Sequence, residues 1–237
     1  MTQRIVITGA NRGLGLELTR VYVERGDEVI AACRRPGGAD ELCALTDRVH
    51  QLDTGDEASI DALGAALAFE TVDVLYNNAG LDARAFGVPD GERDVLTLSA
   101  THFEQEMRVN AVGPMLLARA LLGALRRAQH ARIVNVSSQI GSMVVSAAMG
   151  RDVGYAASKA ALNMITVKLA WRLRADAITA VAVHPGYLRT AMGAGRLGAG
   201  ADLEAADAAA SIVALVDSLT PEHSGRFYRW DGSEHPW

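Results

Sequence analysis

The chain has 237 residues, 49% of them hydrophobic and 22% charged, with a formal net charge of −5. Such a chain is long enough to bury one large core, and its composition is that of a globular protein rather than a disordered or fibrous one. The acidic balance, with no block of Lys or Arg, argues against nucleic acid or an anionic membrane as the main partner.

Short β-branched runs alternate with amphipathic stretches almost to the end of the chain. Strands are predicted over 4–8, 28–32, 48–52, 72–76, 132–137, 179–184 and 226–230, and helices near 14–24, 57–69, 101–127, 155–174 and 202–219. Continuous apolar strands separated by helices predict a parallel sheet covered on both faces. Right-handed crossovers make this a doubly wound Rossmann fold of the α/β class, with seven strands. No linker, repeat or low-complexity segment interrupts the pattern, so residues 1–237 read as a single domain. No signal-peptide-like apolar segment precedes the first strand, and Arg119 breaks the longest apolar run, 112–125. Cys33 and Cys43 form no disulfide framework. A cytoplasmic location is expected, and the six histidines have no metal-ligand spacing, so no metal is expected.

The first strand runs into Thr8-Gly9-Ala10-Asn11-Arg12-Gly13-Leu14-Gly15 and then directly into a helix. Glycines let a pyrophosphate approach the backbone, and the helix N-terminus offers free N–H groups and partial positive charge. The spacing is G-x-x-x-G-x-G, not the G-x-G-x-x-G fingerprint, and a tight strand–helix turn alone uses the same glycines. At the end of the second strand an NAD site usually carries an acid for the ribose 2′-OH. Here Ala31-Ala32-Cys33-Arg34-Arg35 has none. Arg34, helped by Arg12, is suited to a 2′-phosphate, which favours NADP(H) over NAD(H).

Tyr155 and Lys159 share one helix face at i, i+4 spacing. A free tyrosine is only about 0.1% ionised at pH 7, and a nearby cation favours its phenolate. Lys159 and Lys168 are the only lysines in a chain that otherwise uses arginine, so a lysine at this place is pointed. Ser138 ends the fifth strand, where ligands of such sheets bind, and can orient a substrate carbonyl, with Ser137 or Ser142 as the alternative.

In this order the motifs resemble the short-chain dehydrogenase/reductase family over nearly the whole chain. They are the loop 8–15, Asp53, Asn77-Asn78-Ala79-Gly80, Asn110, Ser138, the Tyr155/Lys159 pair and Pro185-Gly186-Tyr187-Leu188-Arg189-Thr190. The ending Asp231-Gly232-Ser233-Glu234-His235-Pro236-Trp237 resembles the branch of C-factor-like and sniffer-like carbonyl reductases. The resemblance implies a catalytic set of Asn110, Ser138, Tyr155 and Lys159, with Asn110 on the long helix holding a water that links Lys159 to solvent. It implies cofactor contacts from Gly9, Asn11, Arg12, Gly13, Leu14 and Gly15. Further contacts come from Arg34, Asp53 (at the adenine amino group), Asn78, Ala79 and Gly80. Pro185, Gly186, Leu188 and Thr190 flank the nicotinamide end. The 17 residues from Ser138 to Tyr155 are more than the family commonly has, which enlarges the loop expected over the substrate.

The activity so implied is reduction of a ketone or aldehyde by NADPH, with Tyr155 as the proton donor. The alternatives are an NADP-dependent alcohol dehydrogenase and a dinucleotide-sensing signalling protein with little turnover. The expected substrate is a small, largely apolar carbonyl or alcohol, because 139–154 and 187–202 bring Ile140, Met143, Val144, Val145, Met149, Leu188, Met192 and Leu197 to the site. The glycine-rich run 193–200 reads as a lid, and the family resemblance implies a homodimer or homotetramer.

Overall fold

The computed structural model describes residues 2–150, 152–189 and 203–237. The strands are β1 (Arg4–Thr8), β2 (Glu28–Cys33), β3 (Val49–Gln51), β4 (Val74–Asn77), β5 (Arg132–Val136), β6 (Thr179–His184) and β7 (Phe227–Arg229). They form one sheet in the order β3-β2-β1-β4-β5-β6-β7, each pair parallel. The helices are α1 (Gly13–Glu24), α2 (Asp40–Leu45), α3 (Glu57–Ala66), α4 (Ala100–Met107), α5 (Gly113–Ala120), α6 (Leu122–Leu125), α7 (Met143–Ser146), α8 (Val153–Leu173) and α9 (Ala205–Ser218).

Strand alternation feeds two cores. Ile5 and Ile7 of β1 join Leu18 and Tyr22 of α1 and Ile212 of α9 on one face of the sheet. Val6 joins Ile60 of α3, Leu117 of α5 and Leu173 of α8 on the other. Each such fully buried side chain contributes about 1.5–3 kcal/mol. The strand order turns back between β1 and β4, so their carboxyl ends open a crevice where doubly wound sheets bind ligands. Among the described residues, no helix is long and apolar enough to cross a membrane.

The single helix expected over 101–127 is a correction. It is broken into α4, a π-helical turn at Arg108–Val112, α5 and α6. The wide turn is where the Asn110 side chain bonds to another segment. Pro114, which has no N–H, then stands in the first turn of α5. Gly113 lets α5 approach Thr54, since a Cβ there would lie 2.2 Å from the Thr54 carbonyl oxygen. Two short helices lay outside the sequence reading for a physical reason. α2 buries only Leu42 and α7 buries no residue, so neither writes an apolar stripe.

Candidate active site

The loop after β1 places Gly9 and Gly13 at φ +63° and +54°, in the left-handed region that glycine tolerates. Gly15 is required by space, because a Cβ there would lie 2.3 Å from Gly9 O and 2.6 Å from the Asn78 side chain. No side chain caps α1 and its first turn carries no acid, so its leading N–H groups face a cleft of about 650 Å³. With no side-chain cap, these N–H groups are open to water and to an anionic ligand. Asn78 fastens β4 to β1: its Nδ2 donates to Thr8 O at 2.8 Å, and the N–H groups of Asn78 and Ala79 donate to Thr8 Oγ1 at 3.0 and 2.9 Å.

Of the residues expected to hold the cofactor, Gly9, Asn11, Arg12, Gly13, Leu14 and Gly15 line this cleft. So do Arg34, Asp53, Asn78, Ala79, Gly80, Tyr155, Lys159, Pro185 and Leu188. Gly186 does not. Its φ of +87° makes a turn, and a Cβ there would lie 2.7 Å from Leu203, so it shapes the chain behind the cleft. Thr190, with Met192, Leu197 and the run 193–200, lies outside the described residues. Arg12 and Arg34 are exposed at the rim, and neither forms an ion pair with a described residue. Asp53 uses one carboxylate oxygen on Gly55 N at 2.8 Å and keeps the other for the cleft. Leu52, Thr54 and Val109 also line the cleft, and at its other end Arg189 pairs with Glu204 at 2.8 Å. Leu52, Thr54, Val109 and Glu204 were not among the residues singled out in the sequence.

Lys159 sits at the bottom. Its Nζ donates to Val136 O at 2.7 Å and stands 5.6 Å from the centre of the Tyr155 ring. Burial pulls this ammonium down to about pKa 8. That one hydrogen bond leaves two N–H groups for ligand hydroxyls. Asn110 and Lys159 meet at Gly80, where a Cβ would lie 3.2 and 3.6 Å from their polar atoms. The expected place of Asn110 on a continuous helix is corrected to the π-helical turn, and its bonds go to protein. Oδ1 accepts from Leu81 N at 2.9 Å, and Nδ2 donates to Leu81 O at 2.7 Å and Ser158 Oγ at 3.0 Å. Ser158 Oγ donates in turn to Tyr155 O at 2.8 Å.

The three serines separate by their partners. Ser137 Oγ donates to Asn163 Oδ1 at 2.6 Å, and Ser142 Oγ donates to Trp237 O at 3.1 Å. Ser138 Oγ only accepts a long 3.4 Å bond from Ile140 N, so its proton is uncommitted among the described residues. Asn163, which the sequence reading missed, also donates to Gly141 O at 3.1 Å and so holds both sides of Ser138. Its signal was present, because Tyr155, Lys159 and Asn163 recur every four residues along α8. Gly141 rests directly on Lys159, with a Cβ position 2.8 Å from its backbone.

This arrangement fits a nicotinamide dinucleotide. The uncapped helix, the glycine cradle, the unpaired arginines and the half-used buried ammonium each await a group of that chemistry.

The short chain dehydrogenase family model matches residues 3–197. C-signal of Myxococcus xanthus is 36% identical over 166 residues, covering 70% of this chain and 93% of that protein. The 1-hydroxy-2-glutathionyl-2-methyl-3-butene dehydrogenase of a Rhodococcus species is 29% identical over 98% of this chain and 99% of its own. The NADPH-bound carbonyl reductase from chicken fatty liver superposes with a TM-score of 0.88 at 29% identity, covering 100% of this chain and 99% of that one. Carbonyl reductase Sniffer of D. melanogaster gives 0.87 at 28% identity, covering all of both chains. The chain belongs to the short-chain dehydrogenase/reductase family and is an oxidoreductase of that family.

Proposed function

We propose that the protein reduces a ketone or aldehyde with NADPH, and the observation that carries this reading is the buried Lys159 ammonium beneath Tyr155 in a phosphate-ready cleft. Bound NADPH would supply the hydride. Gly9, Gly13 and the α1 N-terminus would hold its pyrophosphate, while Arg12 and Arg34 would hold the 2′-phosphate. Ser138, whose hydroxyl proton is uncommitted, donates to the substrate oxygen. Tyr155 gives that oxygen its proton as it gains charge, and Lys159 favours the anionic phenol left behind while donating to ribose hydroxyls. Asn110 locks the chain at Leu81 and, through Ser158, the turn that carries Tyr155.

The substrate is apolar. Ile140 is buried beside Ser138, and Met143, Val144 and Met149 stand 77%, 68% and 41% exposed, an adaptable rim rather than part of the core. Met164 and Trp171, two turns apart on α8 and both exposed, give an apolar face for a homodimer. Likeness to C-signal supports a second reading, a dinucleotide sensor with little turnover. Following nicotinamide absorbance across apolar ketones, aldehydes and charged keto acids, with NADPH and NADH in parallel, decides between the two. Turnover of apolar carbonyls with NADPH is expected. Tight NADPH binding without turnover of any compound would favour the sensor.

A further inference from the structure

Glu106 is the penultimate residue of α4 and is 1% exposed. Its Oε1 accepts from Ala83 N at 2.9 Å, while Oε2 has no hydrogen-bond partner and presses on Gly154. A Cβ on Gly154 would lie 1.9 Å from that oxygen and 2.8 Å from Leu98, so any other residue there displaces the Glu106 carboxyl. Gly154 immediately precedes Tyr155. Glu106 is also one helical turn before Asn110, and together the two hold residues 81 and 83 of the segment after β4.

That segment and the start of α8 are tied by buried charges. Arg93, 4% exposed at its side chain, pairs with Asp152 at 3.2 Å, and Arg93 O accepts from Val153 N at 3.1 Å. Arg84 pairs with Asp82 at 2.9 Å and reaches Asp152 at 3.9 Å. Asp152 itself has a φ of +60°, unusual for a residue with a side chain. The first turn of α8 is therefore held from outside, through contacts to α4 and to residues 82–93, more than by its own cap.

We propose that Glu106 is a positioning residue for Tyr155, its carboxyl wedged between Ala83 and Gly154 so that the first turn of α8 keeps the phenol over Lys159. The inference rests on the reductase reading. Burial pushes the Glu106 carboxyl up to about pKa 7; the Asp82 and Asp152 charges push the same way, against the Ala83 N–H and Arg93. The charged groups facing it are Asp82 and Arg84 from the segment after β4, Arg93 farther along, and Asp152 before α8. Once ionised, Glu106 is repelled by Asp82 and Asp152, and the wedge against Gly154 loosens.

A substrate-free measurement tests this. Protein with ring-¹³C-labelled tyrosine has 5 tyrosine signals, and Tyr155→Phe assigns the one of interest. In the wild type the Tyr155 signal is expected to move in two steps, one near pH 7 from Glu106 and one near pH 8 from Lys159, and in Glu106→Gln only the step near pH 8 is expected to remain. Kinetics with NADPH and an apolar aldehyde supply the second arm. Glu106→Ala should lose roughly tenfold in kcat with KM for NADPH within about threefold, and Glu106→Gln should recover to within about threefold of wild type at pH 6. A Tyr155 signal with no step near pH 7, or with the same step in Glu106→Gln, overturns the proposal, as does an unchanged kcat in Glu106→Ala. Full turnover by Tyr155→Phe would instead sink the reductase reading, leaving the titration of Glu106 to be judged by the spectrum.

Discussion

At the scale of single residues, the site is a matter of what each polar group lacks. Among the described residues Arg34 has no acidic partner, Lys159 uses one of its N–H groups, and Ser138 keeps its proton. Arg34→Ala should weaken NADPH binding by roughly tenfold to a hundredfold and leave NADH binding unchanged, because only the 2′-phosphate loses a charge-assisted bond of about 1.5–3 kcal/mol. Titration of both cofactors by quenching of protein fluorescence checks this, and equal losses would move Arg34 away from the phosphate. Lys159 makes a pH prediction. Its folded pKa of about 8 lies below its unfolded value of 10.5, so between these the unfolded chain holds more protons and stability rises with pH. Below about pH 8 the buried charge is a standing cost. Lys159→Met should therefore melt higher than wild type at pH 7, with the difference shrinking between pH 8 and 10.5, while turnover is lost. A lower melting point for Lys159→Met at pH 7 would mean that its bond to Val136 outweighs the desolvation.

At the scale of elements, strands were legible because their apolar runs are continuous, and the Tyr155–Lys159 helix because its spacing is chemical as well as hydrophobic. The interruption of 101–127 was not, since it is caused by what Asn110 and Gly113 touch across the molecule rather than by the apolar pattern. Glu106 was invisible for the same reason, as its meaning lies in Ala83 and Gly154, distant in sequence. Asn163 was legible in principle, one repeat beyond the Tyr155–Lys159 pair. Gly113→Ala tests the docking of α5. The added Cβ meets the Thr54 carbonyl oxygen at 2.2 Å and should cost about 1–3 kcal/mol by forcing backbone apart. Calorimetric melting should fall by several degrees, and NADPH affinity should fall with it, because Thr54 lines the cleft beside Asp53. An unchanged melting point would show that α5 shifts freely.

At the scale of the whole molecule, one sheet topology puts chemistry from five segments at the same crevice. The β1–α1 loop brings uncapped N–H groups, β2 brings Arg34, β4 brings Asn78, β5 brings Ser137, next in the chain to Ser138, and α8 brings Tyr155 and Lys159. The order of these motifs was readable because all but the Tyr155–Lys159 pair sit at strand ends, where pattern and function coincide, and that pair has its own i, i+4 spacing on α8. The rim of the substrate region was readable only as composition, since loops carry no period to fix where a side chain points. The central claim is that the Tyr155 phenol delivers the proton while the rest of the cleft holds the cofactor. The most direct measurement is stopped-flow oxidation of pre-bound NADPH by an apolar ketone or aldehyde in wild type and Tyr155→Phe. A loss of at least roughly a hundredfold in the rate of the chemical step is expected, with the Kd for NADPH within about threefold. A variant that oxidises NADPH at the wild-type rate would contradict it.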